Sequence, residues 1–196
     1  HYNLGLTLKN LGRLEEAEGS YRRALELKPE LAEAHGNLGV ALQEQGRQLE
    51  AEASFRRAVE VKPNFANAHN NLGMILQAQG RLLEAEASYR RALEIQPDFA
   101  EVHGSLGLVL IEQGRLAEAE ASYRRALEIR PDLAEVHGNL GLVLVGQGRL
   151  PEAEASFRQA LAIKPDYAEA YCNLSGVLIE QDWLSEAETA SRKSLE

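Results

Sequence analysis

Asparagine recurs at Asn3, Asn37, Asn71, Asn139 and Asn173, always at multiples of 34 residues, with Ser105 in the one remaining place. A primary amide offers both a donor and an acceptor, which suits gripping a peptide backbone without reading its side chains. Asn is also a mediocre helix former, so an exposed helical position would be better filled by Ala, Glu or Lys. The competing reading is a packing residue copied by duplication. Three residues on come Leu6, Val40, Met74, Leu108 and Leu142, ending at Gly176. Another three on come Lys9, Gln43, Gln77, Ile111, Val145 and Ile179, polar in the first three copies and β-branched in the last three. If both rows flank a groove, its C-terminal half is greasier; equally, both would serve to pack against the adjacent copy. Gly36, Gly104 and Gly138, in a further row, would let a ligand backbone come close.

Other residue types point to chemistry that their spacing does not support. His1, His35, His69, His103 and His137 invite a metal. Adjacent helices lie roughly 8–10 Å apart, whereas zinc needs every ligand nitrogen at about 2 Å, so one histidine per copy cannot converge on one ion, and packing is the expected role. The pairs Arg56–Arg57, Arg90–Arg91 and Arg124–Arg125 resemble phosphate binders, but each first arginine follows a glutamate by four residues and precedes another by four, the pattern of a solvated helix face. GNLG strings follow no strand and lack a GK[ST] ending, so they are not phosphate loops. The recurrent Ser54, Ser88, Ser122 and Ser156 belong to no Ser/His/Asp arrangement. No catalytic residue, metal or cofactor is expected, and the chain reads as a non-enzyme.

The elements that position these rows follow from the same period. Pro29, Pro63, Pro97, Pro131 and Pro165 are each 34 residues apart. The units are 1–31, 32–65, 66–99, 100–133, 134–167 and 168–196, the first and last partial. Within each, apolar residues recur at threes and fours around a central glycine, so each unit is two helices rather than strands. Gly12, Gly46, Gly80, Gly114 and Gly148 close the first helix in a left-handed conformation, and Pro151 opens a second helix at its first position. Asp98, Asp132 and Asp166 are placed to cap the next helix, with Glu101, Glu135 and Glu169 completing a capping box. Small residues recur where helices approach: Gly5, Gly39, Gly73, Gly107 and Gly141 in the first helix, Ala17, Ala51, Ala85, Ala119, Ala153 and Ala187 in the second. Tyr21, Phe55, Tyr89, Tyr123 and Phe157 are expected to fill between units. One helix pair cannot bury both its apolar faces, but stacked pairs can, so the expected fold is an all-α solenoid forming a single domain over 1–196.

Composition narrows the function class. Apolar residues make up 44% and charged residues 26%, and the net charge is -9, which argues against nucleic acid and against an anionic membrane surface. Cys172 is the single cysteine, so no internal disulfide forms. No apolar run reaches the roughly 20 residues of a membrane span. The expected location is the cytoplasm. The start at His1, inside a repeat, reads as a fragment of something longer.

The run His35–x2–Leu38–Gly39–x2–Leu42, followed by Ala51, Phe55, Ala58 and Pro63, resembles the tetratricopeptide repeat. Essentially the whole chain follows it, with His or Tyr where the family often has Trp. The resemblance implies a right-handed superhelix of helix pairs whose first helices line a concave, peptide-binding surface. AHGNLG, AHNNLG and VHGNLG, with the closing AYCNLSGVLIEQDW, are also similar to repeats of the O-linked N-acetylglucosamine transferases and their bacterial relatives. That likeness implies an asparagine ladder holding substrate chains, and a glycosyltransferase domain beyond Glu196. No carboxylate clamp of Lys and Arg accompanies the asparagines. The first expectation is a protein-interaction module holding an extended polypeptide. The second is a structural module that self-associates end to end through its end repeats. The last repeat is irregular, with Ser175, Asp182–Trp183, Ser191 and Ser194 in place of the usual residues, and Trp183 there is a candidate contact with a following domain.

Overall fold

The computed structural model describes residues 1–195. Among them are twelve α-helices and no strand: α1 (Tyr2–Asn10), α2 (Leu14–Leu27), α3 (Ala32–Glu44), α4 (Gln48–Val61), α5 (Ala66–Ala78), α6 (Leu82–Ile95), α7 (Ala100–Glu112), α8 (Leu116–Ile129), α9 (Ala134–Gly146), α10 (Leu150–Ile163), α11 (Ala168–Glu180) and α12 (Leu184–Lys193). The chain divides into two compact units, His1–Pro97 with α1 to α6 and Asp98–Glu196 with α7 to α12. In each unit, odd- and even-numbered helices pair as antiparallel neighbours, and each second helix also packs on the first helix of the following pair. This is the all-α, helix-pair fold expected from the period.

The turn inside each pair follows from its glycine. Gly12, Gly46, Gly80, Gly114 and Gly148 have φ between 72° and 78°, the left-handed region that only glycine enters without cost. Asp182 takes the same conformation at φ 62° in the last pair. Helix entry departs from expectation. The N-cap residues of α3, α5, α7, α9 and α11 are Leu31, Phe65, Phe99, Leu133 and Tyr167, none with a side-chain cap bond. Asp98, Asp132 and Asp166 lie one residue too early to cap, so no capping box forms. Pro151 is the second residue of α10, not the first; an N–H is dispensable at either place.

The core of each pair is a glycine under a ring. A methyl carbon placed on Gly39 would lie 2.6 Å from Cε1 of Phe55, and one placed on Gly5, Gly73 or Gly141 would lie as close to the ring of Tyr21, Tyr89 or Phe157. These rings are fully buried. Each therefore lies across the glycine of its own pair; the expected contact between successive pairs is corrected to one within a pair. In the last pair both partners are replaced, and Ser175 Oγ donates instead to the Ala187 carbonyl at 2.9 Å.

Candidate functional site

The first helices carry the asparagine row, and its exposure differs from that of the core. In the first unit Asn3 is exposed and Asn37 and Asn71 are half-buried; in the second, Ser105, Asn139 and Asn173 are half-buried. The side chains of Asn3, Asn139 and Asn173 make no hydrogen bond to the described residues. Asn37 is committed. Its Nδ2 donates to Tyr2 Oη at 3.0 Å and to the Glu33 carbonyl at 2.9 Å, tying α1 to α3. Asn70 Nδ2 lies 3.5 Å from Asn71 Oδ1.

The apolar row stands beside these amides, since positions three apart share a helix face. Leu6 and Val40 are half-buried, while Met74, Leu108 and Leu142 are 44%, 40% and 39% exposed. Gly36, Gly104 and Gly138 do not face outward. All three are buried; a methyl on Gly36 would meet the Phe65 ring at 3.3 Å, one on Gly138 the Tyr167 ring at 3.2 Å, and one on Gly104 the Val136 side chain at 3.4 Å. Gly36 and Gly138 make room for the ring that leads into the next pair and Gly104 for Val136 within α9, and the expectation that these glycines admit a ligand backbone is overturned.

Three of the histidines, His35, His69 and His137, are structural. Nε2 of His35, His69 and His137 lies 2.8, 2.9 and 2.9 Å from the carbonyl oxygens of Pro29, Pro63 and Pro131. A carbonyl only accepts, so Nε2 carries the proton. Each ring thus secures the turn between one pair and the next. Burial pushes the His69 imidazolium down in pKa, against the bond to Pro63. No cluster suited to a metal exists among the described residues.

The arginine pairs have a larger role than the solvated-face reading gave them. Glu52 is buried and accepts from Arg56 Nε at 2.9 Å, as the i,i+4 spacing implies, but also from Arg81 Nη1 at 2.8 Å and Gln79 Nε2 at 3.0 Å of the next pair. Arg56 itself reaches Glu84 at 3.1 Å rather than Glu60. Glu18 and Arg47 repeat the cross-pair contact in the first unit at 2.6 Å, and Glu120 and Arg149 in the second at 2.8 Å. Burial raises the Glu52 carboxyl, and the bonds from Gln79, Arg81 and Arg56 outweigh it, leaving the pKa below the ordinary value. Glu18 and Glu120 follow the same balance. The signal was present in the sequence: Glu and Arg recur 29 residues apart.

Two clefts lie away from the asparagines. One of about 510 Å³ in the first unit is lined by Arg22, Leu25, His35, Leu38, Ser54 and Arg57. One of about 390 Å³ in the second unit has the equivalent residues Arg124, Leu127, His137, Leu140, Ser156 and Gln159. Arg22 and Arg124 already hold two carboxylates each. No helix of the described residues is long and apolar enough to cross a membrane.

Solved structures with the same arrangement are numerous. One described as YrrB, a TPR protein with an unusual peptide-binding site, superposes with a TM-score of 0.77 at 22% identity, covering 89% of this chain and 90% of its own. PilF of Pseudomonas aeruginosa gives 0.86 at 23% identity, over 96% of this chain and 86% of that one. MamA gives 0.78 at 24%, over 86% and 99%. These likenesses establish the fold. No curated protein sequence matches the chain. Profiles described as tetratricopeptide or TPR repeats match residues 64–132, 98–166, 5–46, 44–80 and 144–190. With the repeat glycines, rings and prolines in the places those profiles span, the chain belongs to the tetratricopeptide repeat family.

Proposed function

We propose that this chain is a protein-interaction module that holds an extended polypeptide along its first helices. The observation that carries the reading is the solvent access of Asn3, Asn139 and Asn173, whose amides are uncommitted, together with the exposure of Met74, Leu108 and Leu142 in the neighbouring row. An amide that spends nothing on its own fold is free to pair with a ligand's backbone N–H and C=O, and the flanking Leu or Met covers the ligand's side chains. Family membership supports a protein partner, and nothing in the arrangement calls for catalysis by these residues.

The test uses peptides selected against the chain from a random-sequence display library. Replacing Asn139 and Asn173 together by Ala is expected to weaken the selected peptides about tenfold, the loss of two ligand hydrogen bonds, while leaving the unfolding midpoint in place. Undiminished affinity in that variant would sink the amide reading. Asn37 is left intact in this experiment because its bond to Tyr2 gives its removal a stability cost of its own.

Exposure at the last pair favours a second reading, end-to-end self-association. Trp183 and Leu184 are 47% and 64% exposed, an apolar patch of the kind that draws a partner. Sedimentation over a range of concentrations separates the two: a monomer at all concentrations removes the second.

A further inference from the structure

A square of four charged groups closes the junction from α2 to α4, and again the junction from α8 to α10. In the first unit Arg47 joins Glu18 and Glu50, each at 2.6 Å, and Arg22 joins the same two carboxylates at 2.9 and 3.3 Å. In the second unit Arg149 joins Glu120 at 2.8 Å and Glu152 at 2.5 Å, while Arg124 joins them at 2.9 and 3.4 Å. One Glu and one Arg of each square come from a second helix. The other two come from the start of the second helix in the following pair.

The first and last pairs carry the two halves of such a square. Arg13 and Glu16 stand in the places of Arg47 and Glu50 and pair with each other at 2.6 Å. Glu188 and Arg192 stand in the places of Glu18 and Arg22 and pair at 2.9 Å. The Glu18 side chain is 13% exposed within its square, whereas that of Glu188 is 74% exposed. The last pair has lost its ring and both its glycines, yet it keeps this Glu and this Arg. Apolar residues follow the same logic. Leu25 and Leu38 line one cleft, and Leu127 and Leu140 its equivalent. Their counterparts in the end pairs are Leu195 and Leu4, and Leu4 is 53% exposed where Leu38 is 5%.

From this we infer that the α1–α2 face of one copy docks on the α12 face of a second copy. Arg13 and Glu16 then meet Glu188 and Arg192 to complete the square, with Leu4 set against Leu195. The occupant is a second copy because its face carries the opposite charges in the register that the chain already uses inside each unit. The inference rests on the self-association reading above and names the two unlike faces that meet, each copy offering both. Exposed ion pairs are individually weak and screened by salt, so the contact is weak and salt-sensitive, and the four charges choose its register.

Sedimentation velocity of the intact chain tests it with two charge-swapped variants. The first carries Arg13→Glu with Glu16→Arg, the second Glu188→Arg with Arg192→Glu. Each keeps an ion pair within its own helix turn and changes only exposed positions, and a cooperative unfolding transition verifies that both fold. At low salt the unaltered chain is expected to associate with rising concentration, and either variant alone at least about fivefold more weakly. Mixing the two variants should restore association, because each altered face then meets a complementary one, and rising salt should weaken it. Variants that associate as well as the unaltered chain would overturn the pairing of faces and leave self-association standing. Loss of association in both variants without recovery in the mixture would overturn the charge register. A monomer at every concentration in the unaltered chain would remove the inference together with the self-association reading.

Discussion

Tyr123 carries its hydroxyl into the core of its helix pair, where no partner receives it; Tyr21 is in the same position. Tyr89 differs, donating to Gln77 at 3.1 Å. Burial raises both unpartnered phenols, Tyr21 to about 12 and Tyr123 further. A buried hydroxyl left without a partner costs about 1–3 kcal/mol, and the equivalent places at Phe55 and Phe157 do without one. Tyr123→Phe is therefore expected to raise stability by about 1 kcal/mol, read as a higher urea midpoint with unchanged slope. The sequence shows an aromatic at these positions but does not distinguish a bonded hydroxyl from an orphan. That depends on whether a residue such as Gln77 stands within reach across the pair. His35, His69 and His137 serve the fold, as their row was expected to, yet their bonds to the proline carbonyls six residues back were not anticipated, because these depend on how tightly the chain folds over between pairs.

At the scale of the helix, glycine at Gly39 costs propensity and returns a close approach. Alanine there would improve helix propensity by roughly 1 kcal/mol, but its methyl would lie 2.6 Å from the Phe55 ring. That ring is enclosed on all sides, so strain dominates, and overpacking of this kind costs typically about 1–3 kcal/mol. Gly39→Ala is expected to lower the thermal midpoint, whereas the same change at exposed Gly19, where a methyl meets nothing within 4 Å, should raise it. Helix ends divide in a similar way. The left-handed glycines were legible because one conformation demands one residue type. The aspartates were misread because the residue types of a cap appear in a turn as well, and a single residue's shift in the start of α7 or α9 takes the carboxylate out of reach of the backbone N–H groups.

Across the molecule, acid should act through the cross-pair carboxylates. Glu18, Glu52 and Glu120 have folded pKa values below the ordinary 4.5. A depressed folded value means that the unfolded chain binds more protons, so the stability contribution is complete above the unfolded value and is lost as pH falls through the folded one. Stability is expected to hold level from neutrality to about pH 5.5 and to fall below about pH 4.5. Glu52→Gln should lower stability at pH 7 by about 1–2 kcal/mol and make the acid limb shallower, as followed by circular dichroism during denaturant titration. The repeat period disclosed the helix pairs, and the row of amides was visible from spacing alone. Cross-pair ionic contacts went unread because the familiar spacing of four within a helix supplied an answer first.

The ring lying across a glycine has a consequence for how the copies can diverge. Neither partner can enlarge alone, so change at one must wait on shrinkage at the other, and each copy evolves as a couple of sites rather than as independent letters. The last copy has left that regime: with Ser191 where a ring would stand, Ser175 fits and finds its own bond to Ala187. A duplicate that loses its aromatic is thereby released to wander, and this copy, alone of the six, also holds Asp182 in the glycine's left-handed place.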